Sequence, residues 1–450
     1  MCGIAGAIGV DNSAHVVRIM LHALQNRGQE AAGIISINDK TAHKFHGLGT
    51  VANDIPTAAL DALLGKIAVG HNRYATAKNS DGAENIQPLL MKVDGAPMVM
   101  AHNGNFTNIA QLEETALKGT PFLSSSDTER FFRLMLREFR STELKESIDA
   151  TLQKMEGSCA ALLAEPTQLI AIRDSWGNRP LHWGRFQDGF VIASETCALD
   201  ALGVFEHFEV KAGTMVVFTL EGAVSIEQLT EGPKRLCTFE WVYFSSPVST
   251  VFGVDVTNIR RDFGRALALE HPVKADVIAG VPDSSVIAAT GYAEASESGV
   301  LDQNIILRRH NTGRTFITPG QQKRARGVFD KFAFHTGHIK DQRIVLIDDS
   351  VVRGTTSKGI TASLRERGAK EVHWRIASPP VIGPCHYGIA TREGEMLAKN
   401  TTETEMAAHI GADSVRFLSM QSFQSVIRQH GVSPDDGCFA CMDGKYWHKT

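Results

Sequence analysis

Two rhythms of apolar residues divide the chain. Up to about residue 230, short apolar runs recur between turn residues: CGIAGAIG at 2–9, GIISI at 33–37, KIAVGHNRY at 66–74, APMVMAHNG at 96–104, CAALLAE at 159–165, QLIAIR at 168–173, GFVIASE at 189–195 and TMVVFTL at 214–220. Their β-branched content and bounding turns predict strands. Residues 14–26 (AHVVRIMLHALQN) instead place apolar side chains at helical spacing, and Arg27-Gly28 ends the run. Many strands with a few helices predict sheets packed between helices.

Beyond that point strands alternate with helices. ADVIAGV at 275–281 is followed by PDSS and the helical pattern SVIAATGYAEA. RIVLID at 343–348 is followed by DSVVRGTT and SKGITASLRERG, and then comes EVHWRIA at 371–377. This alternation predicts a mostly parallel sheet. The expected boundary lies near Gly232-Pro233, giving domains over 2–231 and 232–450, an α+β half followed by an α/β half. No internal repeat or low-complexity tract interrupts the pattern.

Composition narrows the class. The 450 residues allow two or three domains, each with its own core. A net charge of -4 argues against a general nucleic-acid binder. No apolar run reaches the roughly 20 residues of a membrane span, and MCGIAGAIGV carries no basic leader, so a cytoplasmic location is expected. Seven scattered cysteines are an odd number, unlike a disulfide scaffold and suited to reduced thiols used for chemistry or metal binding.

Cys2 is the first candidate. Removal of Met1 would set its thiol beside a free α-amine with a pKa near 7.7–8.0, so that nucleophile and base share one residue. Taken alone, a small buried side chain explains Cys2 as well. Five strings in order change the balance: MCGIAG, LQNRGQEAAGI at 24–34, GHNRYAT at 70–76, AHNGNFTN at 101–108 and SSSDTE at 124–129. Together they resemble the N-terminal-nucleophile glutaminase domain shared by several amidotransferases, an αββα sandwich. Amide hydrolysis builds an oxyanion, which the Asn103 side chain and the Gly104 N–H can stabilise; a hairpin turn is the other reading of Asn-Gly. By the same resemblance Arg73 would fork onto the glutamine carboxylate and Asp127 would hold its ammonium. As isolated residues they read as a surface arginine and a helix-capping acid. Asn72 and Ala75 stand where the family commonly has Val and Pro or Ser.

The second candidate site follows the strand at 343–348. Asp348 and Asp349 end it, at the edge where α/β sheets bind ligands. Ser350, Arg353, Gly354, Thr355 and Thr356 lead into a helix, with backbone N–H groups and hydroxyls suited to phosphate. The acids suit ribose hydroxyls and Mg²⁺. No Walker GK[ST] is present, and an ordinary capped turn is the bland alternative. LIDDSVVRGTTS resembles the phosphoribosyl pyrophosphate motif of type I phosphoribosyltransferases, and Pro282-Asp283-Ser284-Ser285 resembles their pyrophosphate loop, which would add Ser284 to the Mg²⁺ ligands. Residues 313–331, with Arg314, Lys323, Arg324, Arg326 and Lys331, read as either a solvated linker or a basic lid.

Both halves in this order, with FEWVYFSSP at 239–247 and GRTFITPGQQ at 313–322, resemble the amidophosphoribosyltransferases over nearly the whole chain. The resemblance implies that glutamine, water and phosphoribosyl pyrophosphate give 5-phosphoribosylamine, glutamate and pyrophosphate, opening purine synthesis. It also implies a homo-oligomer, purine nucleotides as feedback inhibitors, and no nucleic-acid or membrane partner. Arg308-Arg309-His310-Asn311-Thr312 stands where the family usually has KNRYV. Glucosamine-6-phosphate synthase and asparagine synthetase share the first half, but the sugar-isomerase domains and SGGxDS loop they need are not found. A non-catalytic regulator that senses phosphoribosyl pyrophosphate is the remaining alternative; retention of Cys2, Asn103 and Asp127 argues against it.

Cys159 and Cys197 lie in apolar surroundings and are expected in the core. Cys237, Cys385, Cys438 and Cys441 include a CxxC pair, which spacing alone assigns equally to a redox pair, Zn²⁺ or iron–sulfur. Their contexts (CTFEWVYF, PPVIGPCHYG, CFACMDGKYW) resemble the family's subclass carrying a [4Fe–4S] cluster.

Overall fold

The computed structural model describes residues 1–74, 82–309, 331–391, 394 and 396–448. The first half contributes strands β1 (Gly3–Ile8), β2 (Ala31–Asn38), β3 (Thr41–Leu48), β4 (Ile67–Arg73), β5 (Leu89–Val93), β6 (Ala96–Phe106), β7 (Gly157–Glu165), β8 (Gln168–Arg173), β9 (His182–Phe186), β10 (Gly189–Ala193), β11 (His207–Glu209), β12 (Thr214–Thr219) and β13 (Val224–Gln228). They form two antiparallel sheets, ordered β11-β9-β10-β1-β4-β2-β3 and β13-β12-β8-β7-β6-β5. Alternation along these strands explains the layering, since one face of each strand joins a core. Ile4, Ile35, Val69 and Ile192 of one sheet meet Val99, Ala160, Leu162 and Val216 of the other. On the first sheet's outer face packs the helix Ser13–Ala23, through Val16, Val17, Met20 and Leu21. Against the second packs the helix Asp127–Phe139, through Phe131, Phe132 and Met135. The result is the expected αββα sandwich. Cys159 and Cys197 are buried in it.

A short strand, β14 (Leu236–Cys237), opens the second half. Two antiparallel strand pairs, β15 (Thr250–Val251) with β16 (Val254–Asp255) and β19 (Ile306–Arg308) with β20 (Phe332–Phe334), stand apart from its main sheet. That sheet is wholly parallel, ordered β18 (Val300–Leu301), β17 (Val277–Gly280), β21 (Arg343–Asp348), β22 (Glu371–Ile376) and β23 (Ser414–Phe417). Helices Val256–Glu270, Val286–Ala295 and Met420–Gln429 bury Phe263, Tyr292 and Phe423 on one face. Thr355–Glu366 and Glu403–Ile410 bury Ile360, Leu364 and Ile410 on the other. The chain's last strand, β24 (Gly437–Cys438), returns to pair in parallel with β14.

Candidate functional sites

The register of β1 on β4, Gly3 opposite Asn72, sets Cys2 beside Arg73 and Tyr74. The half-buried Cys2 thiol lies 3.8 Å from the Tyr74 carbonyl oxygen, to which it donates. Burial raises its pKa, and the neighbouring N-terminal ammonium and the Tyr74 contact pull the other way. Met1 packs into the core at 1% exposure, and burial holds its amine well below the usual range.

Asn103 and Gly104 do not form a hairpin turn. They lie within β6, opposite Ala160 and Cys159 of β7. Gly104 is required there: its φ is +154°, and a Cβ would meet the Ser158 carbonyl oxygen at 1.9 Å. Asn103 is 1% exposed, and its Nδ2 has no hydrogen-bond partner among the described residues. Arg73 is not a surface arginine. It is 7% exposed; Nη1 donates to the Gly82 carbonyl at 3.4 Å, and Nη2 has no partner among the described residues. The neighbouring Asn72 turns to a different task, its Nδ2 donating to the Leu21 carbonyl at 2.6 Å. Ala75 lies outside the described residues.

Asp127 opens its helix behind the capping residue Ser126. It also accepts from the Phe106 N–H at 3.1 Å, tying the helix to the end of β6. It is close enough to Cys2 for its charge to act on the thiol. Buried donors without acceptors are uncommon and mark a place where a ligand's acceptors belong. Strand register sets Arg73 beside the thiol, and the charge of Asp127 reaches it.

At the other site β21 ends on Asp348, and Asp349 opens the loop that follows. Burial raises both carboxyls, and for Asp348 the charge of Asp349 adds to it. Ser285, fully buried, donates to Asp348 Oδ1 at 2.9 Å and accepts from the Asp349 N–H at 3.0 Å. Ser350 Oγ donates to Asp349 Oδ1 at 2.7 Å. Gly354, at φ +70°, caps the helix Thr355–Glu366 and turns the loop into it. A cavity of about 540 Å³ is lined by Ser284, the acids and the whole loop from Ser350 to Thr356, including Arg353. Lys331 also lines it, whereas Arg314, Lys323, Arg324 and Arg326 lie outside the described residues. In the departing segment, Arg308 pairs with Asp283 at 2.9 Å; His310, Asn311 and Thr312 lie outside the described residues.

The same cavity reaches toward the first site. Tyr74, Phe239 and Phe244 form its apolar wall, and the Tyr74 ring meets Phe244 edge-on at 6.0 Å. Cys385 and Cys441 line it too.

Cys237, Cys385 and the Cys438–Cys441 pair come together from three places in the sequence, all as free thiols. Cys237 is the register partner of Cys438 across β14 and β24. The Cys441 carbonyl accepts from the N–H groups of Ile382 and Gly383, near Cys385. Each of Cys237, Cys438 and Cys441 feels the charge of other members of the set. Burial pushes Cys237 up to about 11 and Cys438 and Cys441 well above the thiol range. Among the described residues, no group of three or more His, Cys, Asp or Glu is arranged to hold a single metal ion. No helix among them is long and apolar enough to cross a membrane.

Sequence reasoning passed over Ser285, because nothing local separates two adjacent serines, and Tyr74, whose part depends on the other half of the chain.

Comparison with known proteins adds the family context. The model of the glutamine amidotransferase domain matches residues 71–201. The amidophosphoribosyltransferase of Bacillus subtilis is 40% identical over 99% of this chain and 94% of its own length. That of Methanocaldococcus jannaschii is 39% identical over 99% and 97%. Among solved structures, the glutamine phosphoribosylpyrophosphate amidotransferase of B. subtilis, complexed with ADP and GMP, superposes with a TM-score of 0.92 at 38% identity, covering 100% of this chain and 98% of that one.

Proposed function

The chain belongs to the amidophosphoribosyltransferase family, and from that premise we propose how its own residues divide the work. The enzyme takes ammonia from glutamine and transfers it to phosphoribosyl pyrophosphate, giving 5-phosphoribosylamine, glutamate and pyrophosphate. Residues 2–231 form the glutaminase and 232–450 the phosphoribosyltransferase. Cys2 attacks the glutamine side-chain amide. Asn103 Nδ2 and the Gly104 N–H receive the oxyanion, Arg73 the substrate carboxylate and Asp127 its ammonium. The Asn103 and Arg73 donors, which have no partner among the described residues, carry this reading. A free α-amine on Cys2, after loss of Met1, supplies the base.

Ammonia is small and uncharged, so the apolar wall of Tyr74, Phe239 and Phe244 favours its passage over that of ions. In the cavity, the loop from Ser350 to Thr356 and Arg314 bind phosphate, and Asp348 and Asp349 orient the ribose. The two buried acids, clamped by Ser285 and joined by Ser284, fit Mg²⁺, which supplies charge neutralisation for departing pyrophosphate. The thiols of Cys237, Cys385, Cys438 and Cys441, near enough to feel one another's charge, would hold a [4Fe–4S] cluster, and its role is structural. Purine nucleotides are its feedback inhibitors.

Cys2→Ala tests the division. Glutamine-dependent synthesis should fall about 10⁴-fold or more, while synthesis from high ammonium persists. Loss of both activities, or of neither, rejects it.

A further inference from the structure

Between the two sites lies a set of fully buried charges that neither site's chemistry uses. Arg27 Nε donates to the Cys2 carbonyl at 2.9 Å. Its Nη1 pairs with Glu195 Oε1 at 2.7 Å and its Nη2 with Glu240 Oε1 at 2.7 Å. All three side chains are 0% exposed. Arg27 and Glu195 belong to the sandwich. Glu240 does not: it opens the π-helical turn Glu240–Phe244 just after β14. Its Oε2 accepts from Ser245 Oγ at 2.7 Å. Arg260, from the helix Val256–Glu270, fixes the same turn by donating to the Trp241 carbonyl at 2.7 Å and the Ser245 carbonyl at 2.8 Å. Tyr243 and Phe244 of this turn line the phosphoribosyl cavity.

Stability alone does not call for such an array, because apolar replacements of buried ion pairs are often neutral or stabilising. What it supplies is direction. A planar guanidinium held on every edge cannot rotate, so the carbonyl of Cys2 is held in one place. Displacement of a reacting group by about 1 Å can cost about 10²-fold in rate.

We propose that Glu240 is a positioning residue for the glutamine reaction: acting through Arg27, it sets the place of Cys2 from the other half of the chain. The proposal rests on Cys2 being the nucleophile. It makes ammonia release depend on a turn that forms part of the cavity where ammonia is consumed.

Glu240→Gln in the full-length enzyme keeps the shape and removes the charge. The glutamine-dependent kcat should drop roughly 10- to 100-fold, with the KM for glutamine and the ammonium-dependent rate nearly unchanged. Alkylation of Cys2 by a diazoketone analogue of glutamine should slow in proportion to kcat. An unchanged glutamine rate, an unchanged alkylation rate, or a parallel fall in both activities overturns the proposal. Ser245→Ala, which removes one hydrogen bond to Glu240 and leaves every charge, should give the same pattern several-fold weaker. It decides the matter if Glu240→Gln does not fold. Cys2→Ala measured alongside separates the two readings: if it keeps glutamine-dependent activity the nucleophile is misassigned, whereas a dead Cys2→Ala with a normal Glu240→Gln refutes only the positioning role.

Discussion

The proposed glutamine site and the proposed phosphoribosyl site set out their charged groups differently. The first holds donors that have no acceptor among the described residues, Asn103 Nδ2 and Arg73 Nη2, on antiparallel strands. It is shaped for negative charge that arrives with the substrate or develops in the reaction. The second collects acids, Asp348 and Asp349, at the end of a parallel strand, with Ser285 between them. It is shaped for a cation and for hydroxyls. The folds suit the tasks. A sheet sandwich holds donors through its ladder, whereas a strand–loop–helix edge presents backbone N–H groups to phosphate.

The sharpest way to break this comparison is at the acids. Replacing Asp348 and Asp349 together by Asn should lower ammonium-dependent synthesis by about 10³-fold, equivalent to several kcal/mol of charge stabilisation. Pyrophosphate release measures it, and a near-normal rate would reduce the motif to a turn. Asn103→Ala removes one oxyanion donor and should cost the glutamine reaction about 10²–10³-fold in kcat, with ammonium-dependent synthesis intact. If both reactions slow equally, the two sites are not separate machines. Cys438→Ser should release iron and sulfide from anaerobically purified protein and lower its thermal midpoint by several degrees. Zinc in the parent protein contradicts the cluster, and a fully active, equally stable variant contradicts its structural role.

The smallest effect expected is an acid one. Burial pushes His71 down to about 3 and His46 and His182 to about 4, all in the sandwich. Their unfolded pKa is about 6.5, so the unfolded state takes up protons first. Stability from these residues is complete above about pH 6.5 and declines as the pH falls toward 4. Hydrogen exchange should therefore show β4 losing protection before β21 on acidification; the reverse order would refute it.

Much of this was legible in sequence. Strand–helix alternation after residue 275 described the parallel sheet, because its central strands β17 and β21 are near-continuous apolar runs. The Asp-Asp loop announced its site because its chemistry is contiguous. The Asn103-Gly104 pair was ambiguous, since Asn-Gly ordinarily turns a hairpin; only the approach of β7 shows why glycine is needed within a strand. Arg27 and Glu240 left no signal, because an ion pair between residues 213 apart has no local pattern. Arg73 looked like a surface residue because its burial is imposed by the neighbouring strands.

The pairing of β14 with β24 carries a consequence for the order in which the molecule is made. Cys237 meets Cys438, and Thr238 Oγ donates to the Cys438 carbonyl at 2.8 Å. His448 reaches further back, to the Gly157 N–H at 2.9 Å. During synthesis the sandwich can assemble as soon as β13 clears the ribosome, since domains fold as units from the N-terminus. The opening of the second half must wait for β24 to be translated, across a loop on the order of 200 residues whose closure is entropically opposed. A nascent chain cut short before β24 would therefore carry a finished sandwich joined to a second half still lacking its closing strand.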